Sequence, residues 1–193
     1  MKSYPCPRLG RLLLTGLLAV ACLGRVAAAA EPPLSAAKIQ RAIDKARDWL
    51  LKQQKPGGHW DIAGADADKR VGITALVMLA LANAGVAADA APMQRGLVFL
   101  RGQAPDSTYA VSLQTMALAM LSREADLPII TRNAEWLEKA QVKQGRATGA
   151  WSYGLQGGGD NSNAQFALLG LHEAAKARSE EHTSELQSRQ YLV

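Results

Sequence analysis

Ala75-Leu76-Val77-Met78-Leu79-Ala80-Leu81-Ala82 contains no polar side chain. A helix over this run has no wet face and must be covered on every side. The surrounding sequence reads as a helix over 71–84, with Asn83-Ala84-Gly85 supplying its stop. Two later runs share this character. Met116-Ala117-Leu118-Ala119-Met120-Leu121 lies in a predicted helix over 107–122, and Phe166-Ala167-Leu168-Leu169-Gly170-Leu171 lies in one over 162–177. Asp160, Asn161 and Ser162 all suit the N-cap of that last helix.

Amphipathic helices precede these apolar ones. Residues 35–54 place Ile39, Ile43, Ala46 and Leu50 at helical spacing, with Lys38, Arg41, Lys45 and Asp48 on the other face. Residues 92–101 start with a proline in the first turn. Residues 128–143 align Ile130, Ala134, Leu137 and Ala140 on one face. Amphipathic and apolar helices therefore alternate through three pairs, and each pair hides its apolar face by stacking on its neighbours. Strand patterns are lacking, so the expected fold class is all-α.

A second pattern sits at the ends of the amphipathic helices. The first copy reads Lys45-Ala46-x-x-Trp49-Leu50-x-x-x-Gln54, then Gly58-His59-Trp60. The last reads Ala134-x-Trp136-Leu137-x-x-x-Gln141, then a longer connection to Gly149-Ala150-Trp151. The middle copy keeps Arg95-Gly96-x-x-Phe99-Leu100, brings Gln103 one residue early and lacks the Gly-x-Trp. Trp49 and Leu50 are placed to anchor the helix to the layer beneath. Gln54 is placed to satisfy orphan backbone carbonyls at the helix end or to link to the next segment. Gly58 allows a tight turn, and Trp60 can fold back over the glutamine. On these grounds the motif is a stability device rather than a catalytic site.

This pattern resembles the QW motif of squalene and oxidosqualene cyclases and, more broadly, the prenyltransferase/squalene oxidase repeat, over about residues 36–176. The stretch Gly159-Asp160-Asn161-Ser162-Asn163-Ala164-Gln165-Phe166-Ala167-Leu168-Leu169-Gly170-Leu171 also looks like an inner helix of exported bacterial members. The resemblance implies the α/α toroid shared by squalene-hopene cyclase-like proteins, terpenoid cyclases and protein prenyltransferases. Three helix hairpins make only a partial toroid, since a closed ring takes roughly six or seven pairs. The remaining toroid repeats are expected to be missing from this chain.

The ends of the chain read differently from its middle. The formal charge is +5, yet Lys2, Arg8, Arg11 and Arg25 all precede the first acid, Glu31. Beyond them 18 basic residues face 17 acidic ones, so nothing there carries the footprint of nucleic-acid binding. Lys2, Arg8 and Arg11, the short apolar run from Leu12 to Leu23 and Ala28-Ala29-Ala30 form an export-signal pattern. Residues 1–30 are thus expected to be a signal peptide cleaved near Ala30, leaving an exported, periplasmic or secreted, protein without a stable membrane span. A competing reading is lipoprotein processing at Cys22. Both cysteines, Cys6 and Cys22, lie in the leader, so the mature part has no disulfide or thiolate chemistry. Residues 31–177 form the expected helical domain. From Arg178-Ser179-Glu180-Glu181-His182-Thr183-Ser184-Glu185-Leu186-Gln187-Ser188 onward the chain resembles the conceptual translation of a sequencing-library adapter. Residues 178–193 are therefore expected to be a non-native tail. A solvated helix extension and a disordered terminus are the competing readings.

No reaction can be read from these residues. The cyclase resemblance calls for an Asp-x-Asp-Asp acid, and Asp66-Ala67-Asp68-Lys69 lacks its last aspartate. His59 and His172 stand in different helix pairs without a ligand-spaced partner, so no metal is expected; no phosphate loop or other cofactor signature is present either. The candidate ligand-facing residues lie in loops and helix starts before the apolar helices: Asp66, Asp68, Tyr153, Asp160, Asn161, Asn163 and Gln165, beside Trp60 and Trp151. Aromatics next to amides suit an uncharged polar or glycan-like ligand. The competing and favoured reading is motif packing for the tryptophans and helix capping for Asp160 and Asn161. The expected function is a non-catalytic binding or scaffold module with a small-molecule, glycan or protein partner. The alternative is an isoprenoid cyclase or related transferase whose catalytic half lies elsewhere.

Overall fold

The computed structural model describes the backbone of residues 35–190 and the side chains of 35–179. The expected leader, Cys6, Cys22 and residues 191–193 lie outside them. The fold is all-α. Its helices are α1 (Ala36–Gln53), α2 (Ala67–Asn83), α3 (Ala91–Arg101), α4 (Thr108–Leu121), α5 (Arg123–Ala140) and α6 (Asn161–Gln190). No strand occurs among the described residues, and none of their helices is long and apolar enough to cross a membrane.

Helix starts differ most from expectation. α2 begins at Ala67 rather than near residue 71, because Asp66 caps it by accepting the Lys69 N–H at 2.7 Å. Its end is as expected. Gly85 N–H reaches the Ala82 carbonyl and Val86 N–H reaches that of Leu81, a Schellman closure around a glycine with φ of 85°. α5 begins at Arg123, so Pro128 lies inside the helix instead of starting it. An ion pair explains the extra turn. Arg101, at the end of α3, donates to both oxygens of Asp126 at 2.8 and 3.0 Å and to Ser122 Oγ at 2.7 Å. Asp126 is buried, and that fork requires helical backbone before the proline. α6 continues to Gln190, past the end of its apolar pattern near Ala177. The added stretch contains neither glycine nor proline, so nothing in its backbone interrupts the helix.

α4 is the centre. It packs on α2, α5 and α6, and is buried nearly all round from Thr108 to Ala119. α3 packs on α2, and α5 packs on both α4 and α6. Met78, Leu81 and Leu118 of the apolar runs are buried together with Leu97, Leu100 and Ile130 of the amphipathic helices, but the runs are not covered on every side as expected: Leu76, Met120 and Leu168 are at least half exposed. Close approach of α6 depends on Gly170, whose added Cβ would meet Ser112 Cα of α4 at 3.0 Å and Leu137 of α5 at 3.2 Å.

α1 departs from this scheme and buries no residue completely. Leu50 and Leu51 pack partly against the core, while Trp49 remains 60% exposed. The expected anchoring role therefore falls to Leu50 and not to Trp49. Trp49 lies about a quarter-turn from the Ile43–Leu50 stripe and finds no helix on its own side.

Candidate functional site

The motif residues form two turns with the same closing hydrogen bonds. After α1, Lys55 N–H donates to the His59 carbonyl at 2.8 Å and Gly58 N–H to that of Lys55 at 2.9 Å. After α5, Val142 N–H donates to the Ala150 carbonyl at 2.9 Å and Gly149 N–H to that of Val142 at 2.8 Å. Gln54 Nε2 donates to the Gly58 carbonyl at 2.9 Å, and Gln141 Nε2 to that of Gly149 at 3.1 Å. Each buried indole then reaches back to its helix end: Trp60 Nε1 to the Leu50 carbonyl and Trp151 Nε1 to the Leu137 carbonyl, both at 2.7 Å. The tryptophans fold back as expected, and their indole N–H groups close the helix ends.

The middle copy reaches the same end by another donor. Gln114, completely buried on α4, donates from Nε2 to the Leu100 carbonyl at 2.7 Å and to the Gln103 carbonyl at 3.2 Å. Its Oε1 accepts from Asn133 Nδ2 at 2.9 Å. Leu50, Leu100 and Leu137 each follow the aromatic of the motif, and each has its orphan carbonyl satisfied. The missing Gly-x-Trp is thus functionally replaced by an amide from the following apolar helix, which spacing alone could not reveal.

These side chains are structural; the open space lies elsewhere. A groove of about 780 Å³ runs between α2 and α4. Gly72, Ile73 and Leu76 come from α2, and Tyr109, Ala110 and Leu113 from α4. Ile62, in the loop before α2, and Tyr153, in the loop before α6, complete the apolar lining. Tyr109 also stands against Phe166 of α6, ring centres 4.6 Å apart, and against Tyr153 at 6.3 Å. The groove forms because Gly72 and Ala110 carry almost no side chain where the two helices meet, while Leu76 and Tyr109 rise on either side.

Its rim is acidic. Asp66, Asp68 and Asp106 stand there with a single cation, Lys69. The Lys69 backbone N–H, and then its side chain at 3.1 Å, hold the Asp66 carboxyl below the usual carboxylate range. Asp68 Oδ1 accepts the Asp106 N–H at 3.0 Å, tying α2 to the segment before α4. Asp68 Oδ2 is shielded from solvent and has no hydrogen-bond partner.

Of the sequence-derived ligand-facing set, Asp66, Asp68 and Tyr153 meet at the groove, whereas Asp160, Asn161, Asn163 and Gln165 are not among its lining residues. Asp160 instead caps α6. Its Oδ1 accepts from Ser162 Oγ, from Asn163 N–H at 2.9 Å and from Asn163 Nδ2 at 3.1 Å. The Ser162 hydroxyl and then the Asn163 N–H hold its carboxyl below the ordinary value. Asn163 is completely buried, while Asn161 and Gln165 are exposed. His59 is half-buried beside Phe99, ring centres 5.0 Å apart, and His172 is exposed. Sequence reasoning missed Ile62, Leu76, Tyr109 and Leu113. The available signal was a tyrosine in the first turn of an otherwise apolar helix.

Compared with known proteins, the chain matches no family model, no curated protein and no solved structure.

Proposed function

We propose that this chain is a non-catalytic binding module of the squalene-cyclase-like α/α-toroid kind, exported from a bacterial cytoplasm, whose ligand is a largely apolar small molecule held between α2 and α4. The observation that carries this reading is the groove itself. Its volume suits a small organic ligand and its walls are aliphatic and aromatic. The paired tryptophan turns support the family assignment through the spacing of Trp49, Gln54, Gly58 and Trp60 and its counterpart at Trp136, Gln141, Gly149 and Trp151.

The lining favours a hydrocarbon or aromatic body over the glycan-like ligand read from the loops, because Ile73, Leu76, Ala110 and Leu113 offer a sugar nothing to hydrogen-bond. The acidic rim favours a neutral or cationic end group and repels an anion. Acid catalysis at Asp66 does not fit. Protonating an alkene requires a carboxylic acid kept neutral, and the Lys69 contacts stabilise the carboxylate.

Nile red, a neutral apolar dye, provides the test. Its fluorescence should rise saturably with the wild-type chain. Leu76→Lys places a cation in the groove at a position already 53% exposed, so the fold is retained. Losing the Leu76 contact is expected to remove about 1.5–3 kcal/mol, weakening dye binding about tenfold or more. Undiminished binding by a variant with unchanged helical circular dichroism would overturn the proposal.

A further inference from the structure

The groove between α2 and α4 has a charged end and an apolar remainder. Asp66, Asp68 and Lys69 lie at the start of α2, and Asp106 and Ser107 immediately precede α4. Two hydrogen bonds gather these segments. Asp68 Oδ1 accepts the Asp106 N–H at 3.0 Å, and the Tyr153 carbonyl accepts the Thr108 N–H at 2.8 Å. From there Ile73 and Leu76 of α2 and Ala110 and Leu113 of α4 continue the lining without a polar side chain. Every lining residue falls between Ile62 and Tyr153, inside the described part of the chain.

Charge sorts the ligands this end can accept. Three acids stand there with one lysine, and that lysine is engaged: Lys69 Nζ lies 3.1 Å from Asp66 Oδ2. The next cation along α2, Arg70, pairs with Asp61 at 3.0 Å and does not line the groove. The starts of α2 and α4 each add about half a positive charge. Three negative charges against one whole and two half positive ones leave this end negative by about one unit. An anionic head group is repelled there despite the two helix starts.

Asp68 adds direction to the charge. With Oδ1 committed to the Asp106 N–H, its Oδ2 is shielded from solvent and has no hydrogen-bond partner. A shielded carboxylate oxygen without a donor is costly, and a donor that carries positive charge offsets that cost best. Tyr109 and Tyr153 line the same groove, and aromatic rings attract a cation.

Granted that the groove is where a ligand binds, as proposed above, we infer that the ligand is a primary amine with an aliphatic or aromatic body. Its ammonium group donates to Asp68 Oδ2, and its body lies along Ile73, Leu76, Ala110 and Leu113. Asp66 stays with Lys69.

Displacement of Nile red from the full chain by decylamine, decanol and decanoate, each below micelle formation, varies the head group on a constant body. Decylamine should displace the dye at a concentration about tenfold or more below that of decanol, with decanoate the weakest. Asp68→Asn keeps an oxygen for the Asp106 N–H but removes the charge, so the preference for amine over alcohol should fall toward parity. Asp106→Asn removes the same charge from an exposed side chain and should leave most of the preference. Helical circular dichroism verifies that each variant is folded. If Leu76→Lys weakens dye binding, yet decanol or decanoate competes as well as decylamine, the amine is overturned and the groove stands. A preference unchanged in Asp68→Asn, or reduced equally in Asp106→Asn, also overturns the contact at Asp68. Dye binding that Leu76→Lys does not weaken overturns both the amine and the groove.

Discussion

The turn after α1 and the turn after α5 close with the same hydrogen bonds yet differ in what lies beyond them. Gly58 is pressed against α3: an added Cβ would run into the Arg95 carbonyl oxygen, and φ is 83°. Gly149 adopts nearly the same conformation, φ 89°, with nothing within 4 Å of where its Cβ would be. Gln54 links its turn to Pro92 and Arg95, whereas Gln141 links only to its own turn and to Lys143. One sequence device thus has two separable parts. The closing bonds are local and survive a stretched loop. The lock onto a neighbouring helix is made at Gln54, by Pro92 and Arg95 of α3, and has no counterpart at Gln141 among the described residues.

Glycine substitution should separate these parts most strongly. Gly58→Ala combines left-handed strain with a backbone collision and is expected to cost about 3–5 kcal/mol. Gly149→Ala meets only the strain and should cost about 1–2 kcal/mol. Urea midpoints of the two variants measure the gap, and equal losses would break the distinction. Gln114→Leu extends the comparison to the middle junction. It strands the Leu100 carbonyl and the Asn133 amide in the interior, and about 2–3 kcal/mol should be lost in the same titration. Trp60→Phe and Trp151→Phe each delete one indole donor while keeping most of the ring. Each should cost about 1–2 kcal/mol, and matched values would sharpen the view that local closure is common to both turns.

The smallest effect is pH-dependent and belongs to the cap that follows the second turn. Asp160 has its carboxyl lowered from an ordinary value of 3.8 by Ser162 and Asn163. A group depressed in the folded state adds stability above its unfolded value and loses it as pH falls through the folded value. The wild-type melting temperature should therefore decline below about pH 3.8 more steeply than that of Asp160→Asn. Parallel acid limbs would remove Asp160 from this account.

The sequence made the helices legible because their signals are local. Unbroken apolar runs at 75–82 and 116–121 pointed inward, and α4 is interior from Thr108 to Ala119, although Leu76 and Met120 stay about half exposed. The spacing from Gln54 to Gly58 foretold both the tight turn and the link to the next segment. Pro128 misled, because the force that starts α5 earlier is an ion pair to Arg101, distant in sequence. Asp66 and Asp160 looked alike as acids before apolar helices, yet one rims a groove and the other folds onto Ser162 and Asn163. What separates them is the space beside them, created by Gly72 and Ala110 on different helices. The replacement of a tryptophan by Gln114 was hidden for the same reason: the donor comes from across the interface.

That a ligand enters between α2 and α4, and not at Asp160, Asn161, Asn163 and Gln165 at the start of α6, is tested most directly by amide hydrogen exchange on the intact chain with and without saturating Nile red. Binding in the groove predicts slower exchange at residues 66–76 and 106–113, with no change over 157–165. Protection confined to 157–165, or none at either helix despite bound dye, would contradict it.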